Sequence, residues 1–287
     1  MKKRLQSIRH TFGMIKFSHS IFAIPFALVS LFEASGGWPG WRLFILIVVA
    51  MILARNTAMS FNRLVDAKID SKNSRTATRH IPAGLVSRKF VFIFCIINAL
   101  LFVGTSSLFN RLTLLLSPVA LGIIYFYSFT KRFTSAAQVF LGLSLGIAPI
   151  ASWIAVTGTL APFPIVLGGA VLFWVAGFDM IYATQDYAHD KKEGLHSLIV
   201  KLGLARGLVV SRFFHFLTVI LLGLLPLYGN LGSIYSVTVL VVAVLLVYEH
   251  TLVKAHDLSK VNAAFFTVNG FVGMIYLVGF LMDKIIG

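Results

Sequence analysis

Nine apolar runs, each long enough to cross about 30 Å of hydrocarbon, limit what this chain can fold into. Only 12% of its 287 residues are charged and the mean hydropathy is +0.89, whereas a soluble domain carries roughly 25% charged residues. The sequence therefore predicts an all-α integral membrane protein with one domain over residues 1–287 and nine transmembrane helices. We place these helices near residues 17–34, 42–62, 90–109, 112–130, 135–157, 163–184, 208–229, 232–252 and 265–283.

The first predicted helix follows a basic start, MKKRLQSIRHTFGMIK. A signal peptide has a similar layout. However, the basic segment is long and the apolar run carries His19 and Pro25, so we predict a retained membrane helix. Cys95, the only cysteine, lies inside an apolar run and is predicted to be a buried thiol.

The distribution of basic residues predicts the orientation of the helices. The net charge is +15, and with the N-terminus inside, 21 Lys and Arg residues fall on the inner side and three on the outer side. This bias predicts an N-in, C-out topology. Because the basic loops are short and lack interleaved aromatic residues, the sequence argues against a nucleic-acid partner and for the lipid bilayer as the surroundings.

Two acidic motifs with the same spacing end two of these helices. Asn62, Asp66 and Asp70 recur at every fourth residue, which keeps them on one helical face. The second copy consists of Tyr182, Asp186 and Asp190. Oxygen ligands of this kind suit magnesium rather than zinc or copper. Both motifs fall on the predicted cytoplasmic side, so we expect two acidic faces that share metal ions and hold a diphosphate.

Two further charges lie deeper in the membrane. Arg55 precedes Asn62 by seven residues, and Asp179 precedes Asp186 by seven, so each lies about two turns below its motif on the same face. Charges at this depth usually line a cavity or form a pair. They are predicted to form the floor of a substrate cavity, to pin two helices as an ion pair, or both.

The residues around the motifs resemble those of UbiA-type membrane aromatic prenyltransferases. That family's first motif reads N-D-x-x-D-x-x-x-D followed by R-T-x-x-R-P-x-x-x-G. Arg63 stands here at the second position, and His80 intrudes after Arg79. The segment YATQDYAHDKKEGLHSLIVKLG matches the second motif, and YFYSFTKRFT is similar to a third, Y-x-x-x-K-R.

The resemblance implies a UbiA-like bundle of nine helices around a central cavity and a role for each motif residue. Asp66 and Asp186 would be catalytic, and together with Asn62, Asp70 and Asp190 they would hold Mg²⁺. The diphosphate of a polyprenyl diphosphate would be bound by Lys131, Arg132 and Arg79. Its tail would lie in the bilayer, and an electron-rich aromatic ring would attack the allylic carbon, so no protein nucleophile is needed.

Two acceptors fit the resemblance, and both are phenolic carboxylic acids. One is 4-hydroxybenzoate, used in ubiquinone synthesis, and the other is a dihydroxynaphthoate, used in menaquinone synthesis. Either acid would need a cation in the cavity, for which Arg55 is the candidate, and Tyr182 is a second candidate acceptor contact. We expect an integral protein of a bacterial inner membrane with its active site facing the cytoplasm.

An alternative from another class is a secondary transporter, which can also show repeats and intramembrane charges. The acids here cluster at one membrane face, whereas a transporter's site lies near the midplane. His19, His215 and His250 are predicted to pack or to lie at an interface rather than to act as bases.

Overall fold

The computed structural model describes residue 13 and residues 22–286, and the elements within these residues are helical. The helices are α1 Ile24–Ala34, α2 Gly40–Lys72, α3 Arg88–Ser106, α4 Arg111–Thr130, α5 Ala137–Thr157, α6 Pro162–Ala183, α7 Tyr187–Lys192, α8 Leu198–Leu202, α9 Leu204–Leu224, α10 Ser233–Leu252 and α11 Asn269–Ile286. A 3₁₀ turn, Thr184–Asp186, joins α6 to α7, and a π-helical turn, Ala263–Val268, leads into α11. The predicted all-α class is confirmed.

Eight helical segments of the described chain are long and apolar enough to cross a membrane, and α1 is a shorter apolar helix of 11 residues. These nine segments correspond to the nine predicted helices, although α1 covers only the second half of the predicted 17–34. Residues 17–21 of that prediction, including His19, lie outside the described residues. The N-in, C-out orientation and the single domain stay predictions.

Helix α2 is longer than predicted because it continues through the first acidic motif. Its 33 residues end at Lys72 rather than near residue 62, which gives a length of about 50 Å at 1.5 Å per residue. The acids of the first motif therefore lie on the last turns of a continuous helix, which fixes their spacing along one face.

The helices pack closely where small residues allow it. Gly146 of α5 and Gly168 of α6 face each other, and a Cβ atom on either would lie 2.6 Å from the other's carbonyl oxygen. Glycine at both positions lets the two backbones meet, as is common between membrane helices. Helix α6 is the most deeply buried of the long helices, and its Trp174 is fully buried with ring contacts to Phe22, Phe26 and Phe178.

Candidate active site

A polar cavity of about 250 Å³ lies where α2, α4 and α6 end. Its walls contain every carboxylate of the two acidic motifs, the deeper Asp179, and two of the three basic residues predicted to bind diphosphate. The predicted site residues that line it are Asn62, Asp66, Asp70, Arg79, Lys131, Tyr182, Asp186 and Asp190. The structure therefore brings the two motifs together, although 120 residues separate Asp66 from Asp186.

The acids of the first motif are deeply buried and are paired with basic side chains. Asp66 is 2% exposed and accepts hydrogen bonds from Lys131 Nζ at 2.6 Å and from Arg132 Nη2 at 3.3 Å. Asp70 is 4% exposed and accepts from Arg79 Nη1 at 2.6 Å, while Arg63 Nη1 lies 3.9 Å from its other oxygen. The buried charge is thus compensated within the protein, which is the condition for burying it.

The second motif lies on an interrupted helix. The 3₁₀ turn Thr184–Asp186 tightens the backbone between α6 and α7, yet Tyr182, Asp186 and Asp190 all still line the cavity. Asp186 is only partly buried and forms a two-pronged ion pair with the Arg75 guanidinium, with a 2.8 Å hydrogen bond from Nε and a second bond from Nη2. Two parallel bonds fix both orientation and charge.

Arg75 belongs to the loop after α2, and the sequence analysis assigned no role to it beyond its place in the first motif. Its Nη1 also donates to the Tyr182 hydroxyl at 2.9 Å, and Asn73 Nδ2 donates to Asp186 Oδ1 at 2.8 Å. Burial lowers the pKa of Arg75, but the hydrogen bonds with Asp186 and Tyr182 outweigh it and raise the pKa above its ordinary value. Arg75 therefore stays a cation and links the first loop to the second motif.

Asn73, His189 and His196 also line the cavity, and sequence reasoning did not single them out. Asn73 is the first residue after α2 and holds the loop by accepting a hydrogen bond from the Arg75 backbone N–H at 2.9 Å. The backbone N–H of His196 donates to the Lys131 carbonyl at 2.7 Å. Contacts with residues far along the chain place Asn73 and His196 in the site, so no local pattern could have found these two.

The donor set of the cavity fits magnesium in its chemistry. The predicted ligands, Asn62, Asp66, Asp70, Asp186 and Asp190, offer oxygen atoms, and Asp70 Oδ2 is buried without a hydrogen-bond partner. Among the described residues, however, no three His, Cys, Asp or Glu side chains converge on one point. The shared metal site stays a prediction. To bind metal there, the carboxylates would have to release the Lys and Arg side chains with which they are paired in this structure.

The three predicted diphosphate-binding residues differ in position. Lys131 and Arg79 line the cavity, but Arg132 is not among the lining residues. The exposed Arg132 instead donates to Asp66 and, at 2.9 Å, to the carbonyl oxygen of Val65. In this structure Arg132 supports the end of α2 rather than facing the cavity.

A second, apolar cavity of about 240 Å³ adjoins the polar one. The two share the lining residues Met59, Tyr127, Leu141 and Phe265. Arg55 lines the apolar cavity and is its only Lys, Arg, Asp or Glu among the described residues. A further apolar cavity shares Met51, Phe102 and Ala148 with it and is lined by α2, α3, α4 and α5.

Arg55 and Asp179 do not form the ion pair considered from the sequence. Arg55 lines the apolar cavity and Asp179 the polar one, and none of the ion pairs recorded among the described residues joins them. Equal depth along two helices does not bring side chains into contact, because α2 and α6 lie on different walls. The expectation of a cavity floor agrees better with these positions.

His215 and His250 lie away from both cavities and pack against each other. His250 Nε2 is 3.0 Å from His215 Nδ1, and His215 Nε2 is 3.2 Å from the Trp174 carbonyl oxygen. Because that carbonyl only accepts, His215 Nε2 must donate, and His250 donates to His215 Nδ1. These contacts agree with the packing role predicted for the two histidines.

Comparison with known proteins identifies the family. Residues 23–271 match the UbiA prenyltransferase family. Two relatives named 4-hydroxybenzoate octaprenyltransferase, from Vibrio parahaemolyticus and Vibrio cholerae, are 31% identical to this chain. The first alignment covers 88% of each chain and the second 89%.

Solved structures share the fold. The apo structure of a UbiA homolog from Aeropyrum pernix has a TM-score of 0.83 and 28% identity, over 92% of this chain and 98% of that one. A UbiA homolog from Archaeoglobus fulgidus bound to DMAPP and Mg²⁺ has a TM-score of 0.75 at 18% identity, over 96% of this chain and 99% of that one. These findings agree with the three motifs and give the transporter alternative no support. The chain is an integral membrane protein that belongs to the UbiA prenyltransferase family.

Proposed function

We propose that this enzyme transfers a polyprenyl group from a polyprenyl diphosphate to an aromatic acid of the 4-hydroxybenzoate type, in a Mg²⁺-dependent reaction. The observation that carries the proposal is the junction of the two cavities. An acidic and basic cavity suits a metal-bound diphosphate, and an adjoining apolar cavity suits a prenyl chain and an aromatic ring.

The residues of the polar cavity have distinct parts in the proposal. Asn62, Asp66, Asp70, Asp186 and Asp190 would hold Mg²⁺, which when bound neutralises the charge of the leaving diphosphate. Lys131, Arg79 and Arg75 would contact diphosphate oxygens once the acids engage metal. Since each of these cations already lies against an acid, the exchange needs movements of side chains rather than of helices.

The chemical step needs no nucleophile from the protein. The allylic C–O bond breaks and its electron pair leaves with the diphosphate. The aromatic ring supplies the electron pair of the new C–C bond, and its proton then passes to water. Arg55 would orient the acceptor by pairing with its carboxylate in a setting of low dielectric, where a two-pronged contact is strong.

The decisive experiment incubates membranes containing the enzyme with a labelled polyprenyl diphosphate, Mg²⁺ and one acceptor at a time. We expect labelled prenylated 4-hydroxybenzoate, and none when Mg²⁺ is removed by chelation. Product with 1,4-dihydroxy-2-naphthoate instead would favour the menaquinone-type acceptor considered from the sequence. The names of the Vibrio relatives support 4-hydroxybenzoate. No product with any aromatic acid would contradict the proposal.

The proposed location is a bacterial inner membrane with the polar cavity facing the cytoplasm. The excess of Lys and Arg on the side of the motif loops supports this orientation. A reporter that is active only in the cytoplasm should be active when fused after Ser87, in the loop between α2 and α3. The same reporter should be inactive after Thr159, between α5 and α6, and the reverse result would contradict the orientation.

A further inference from the structure

The last membrane segment begins with a π-helical turn, Ala263–Val268. Such turns are rare and are frequently found at functional sites. In this one, the side chain of the next residue takes part in the hydrogen bonding of the backbone. Asn269 Nδ2 lies 3.1 Å from the Ala264 carbonyl oxygen and 3.3 Å from that of Phe265. Asn269 therefore holds the turn from one end.

Asn269 is itself fixed by two buried partners on other helices. Trp174 Nε1 of α6 donates to Asn269 Oδ1 at 2.7 Å, and Asn269 Nδ2 donates to Glu249 Oε1 of α10 at 2.7 Å. All three residues are fully buried. An indole N–H can only donate, so the Asn269 oxygen must face Trp174 and its NH₂ group must face the π-helical turn. The contacts thus fix the orientation of the amide.

The π-helical turn places the Phe265 ring at the junction of the two cavities, where it lines both. Its ring centroid is 4.3 Å from that of Tyr182 and 5.2 Å from that of Phe178, with the Phe178 ring edge-on. The neighbouring Phe266 lies on the same turn but lines neither cavity. The two phenylalanines therefore differ in access to the cavities while sharing one backbone element.

We propose that Phe265 is a catalytic residue whose ring face stabilises the allylic cation, and that Asn269 is the positioning residue that holds it there. This inference rests on the proposed function. A prenyl diphosphate with its head in the polar cavity and its tail in the apolar one has its reactive carbon at the junction. Aromatic faces attract cations most strongly away from water, and a phenylalanine ring offers no lone pair that the cation could alkylate.

The test for Phe265 replaces it alone with 4-fluoro-, 3,5-difluoro- and 3,4,5-trifluorophenylalanine. Fluorine withdraws charge from the ring face and changes the shape little, so a folding defect is avoided. We expect log kcat to fall stepwise along the series, by about tenfold in total. KM for either substrate should change less than twofold. The matched control is the same series at Phe266, where kcat should stay constant.

The test for Asn269 is a double-mutant comparison with Asn98 as control. Asn98 of α3 is also buried and lines neither cavity. It donates to the Phe94 carbonyl at 2.8 Å and accepts a hydrogen bond from Asn56 Nδ2 at 3.0 Å. Asn269→Leu and Phe265→Leu should each lower kcat, and the double variant should lose little more, because Asn269 acts through Phe265. Asn98→Leu should lower the melting temperature while kcat stays within twofold of the parent enzyme.

The outcomes separate this inference from the proposed function. Native enzyme that transfers no prenyl group to any aromatic acid overturns both. Native enzyme that is active, with the same kcat across the fluorine series at Phe265, overturns the role of Phe265 alone. If the loss of kcat in the double variant equals the product of the losses in Asn269→Leu and Phe265→Leu, the positioning role of Asn269 is overturned.

Discussion

The two acidic motifs share one spacing but differ in how the protein holds them. Asp66 and Asp70 lie on a continuous helix, are nearly inaccessible, and each faces two basic side chains. Asp186 and Asp190 follow a 3₁₀ interruption and are only partly buried. Asp186 has one cationic partner, and no ion pair is recorded for Asp190 among the described residues.

This difference indicates two roles for two similar patterns. A buried acid between two cations stabilises the folded protein in addition to any role as a ligand, because its removal leaves buried positive charge uncompensated. A partly buried acid with one cationic partner or none can exchange that partner for a ligand at a lower cost in free energy. The first motif is therefore expected to anchor the site, and the second to adjust to the diphosphate and its metal.

The largest expected effect comes from the central acid of either motif. Asp66→Ala and Asp186→Ala should each lower kcat by at least about a hundredfold, the usual cost of losing one electrostatic stabiliser of the transition state. The fall in kcat is measured from the turnover of the purified enzyme at a fixed Mg²⁺ concentration. Asp257→Ala, on an exposed loop, is the matched control and should retain full activity. An active Asp66→Ala or Asp186→Ala enzyme would contradict the shared site.

A medium effect is expected on KM when the arginine of either cavity is replaced with lysine, and the two cavities should differ in which substrate is affected. Arg75→Lys keeps the charge but loses the two-pronged bond to Asp186, so KM for the prenyl diphosphate should rise about tenfold. KM for the aromatic acid should not change. Arg55→Lys should give the opposite pattern, because Arg55 lines the apolar cavity. Steady-state kinetics with both substrates varied would measure the two KM values. If both variants raised KM for the same substrate, the assignment of one substrate group to each cavity would be refuted.

The last comparison concerns stability rather than turnover, and it contrasts the last acids of the two motifs. Asp70→Asn leaves Arg79 and the buried Arg63 without their carboxylate, at a cost of about 3 kcal/mol in the free energy of unfolding. Asp190→Asn should change stability little, since no ion pair is lost. Thermal unfolding in detergent at constant pH compares the two variants. Equal melting temperatures would show that both motifs contribute alike to packing.

Sequence reasoning predicted much of the site because hydrophobicity and helical spacing are local properties. The apolar runs located the membrane segments, and the four-residue spacing placed Asn62, Asp66 and Asp70 on one face. The length of α2 was underestimated, since an amphipathic end of a helix has no apolar signal. Similarly, the Arg55–Asp179 pair was considered, beside a cavity floor, from depth and helical face alone, and neither property says which walls two helices occupy.

The sequence by itself determined the fold class, the family and the chemistry of the acidic motifs, because each depends on residue types within short stretches. Only the tertiary structure decided which side chains pair with those acids, that Arg132 lies outside the cavity wall, and that Arg75 contacts the second motif. It also decided that Phe265 stands where the polar and apolar cavities meet. The physical reason is that a buried charge or ring is positioned by groups far along the chain. Asp186 is held by a loop more than 100 residues earlier, and Asn269 by an indole 95 residues away.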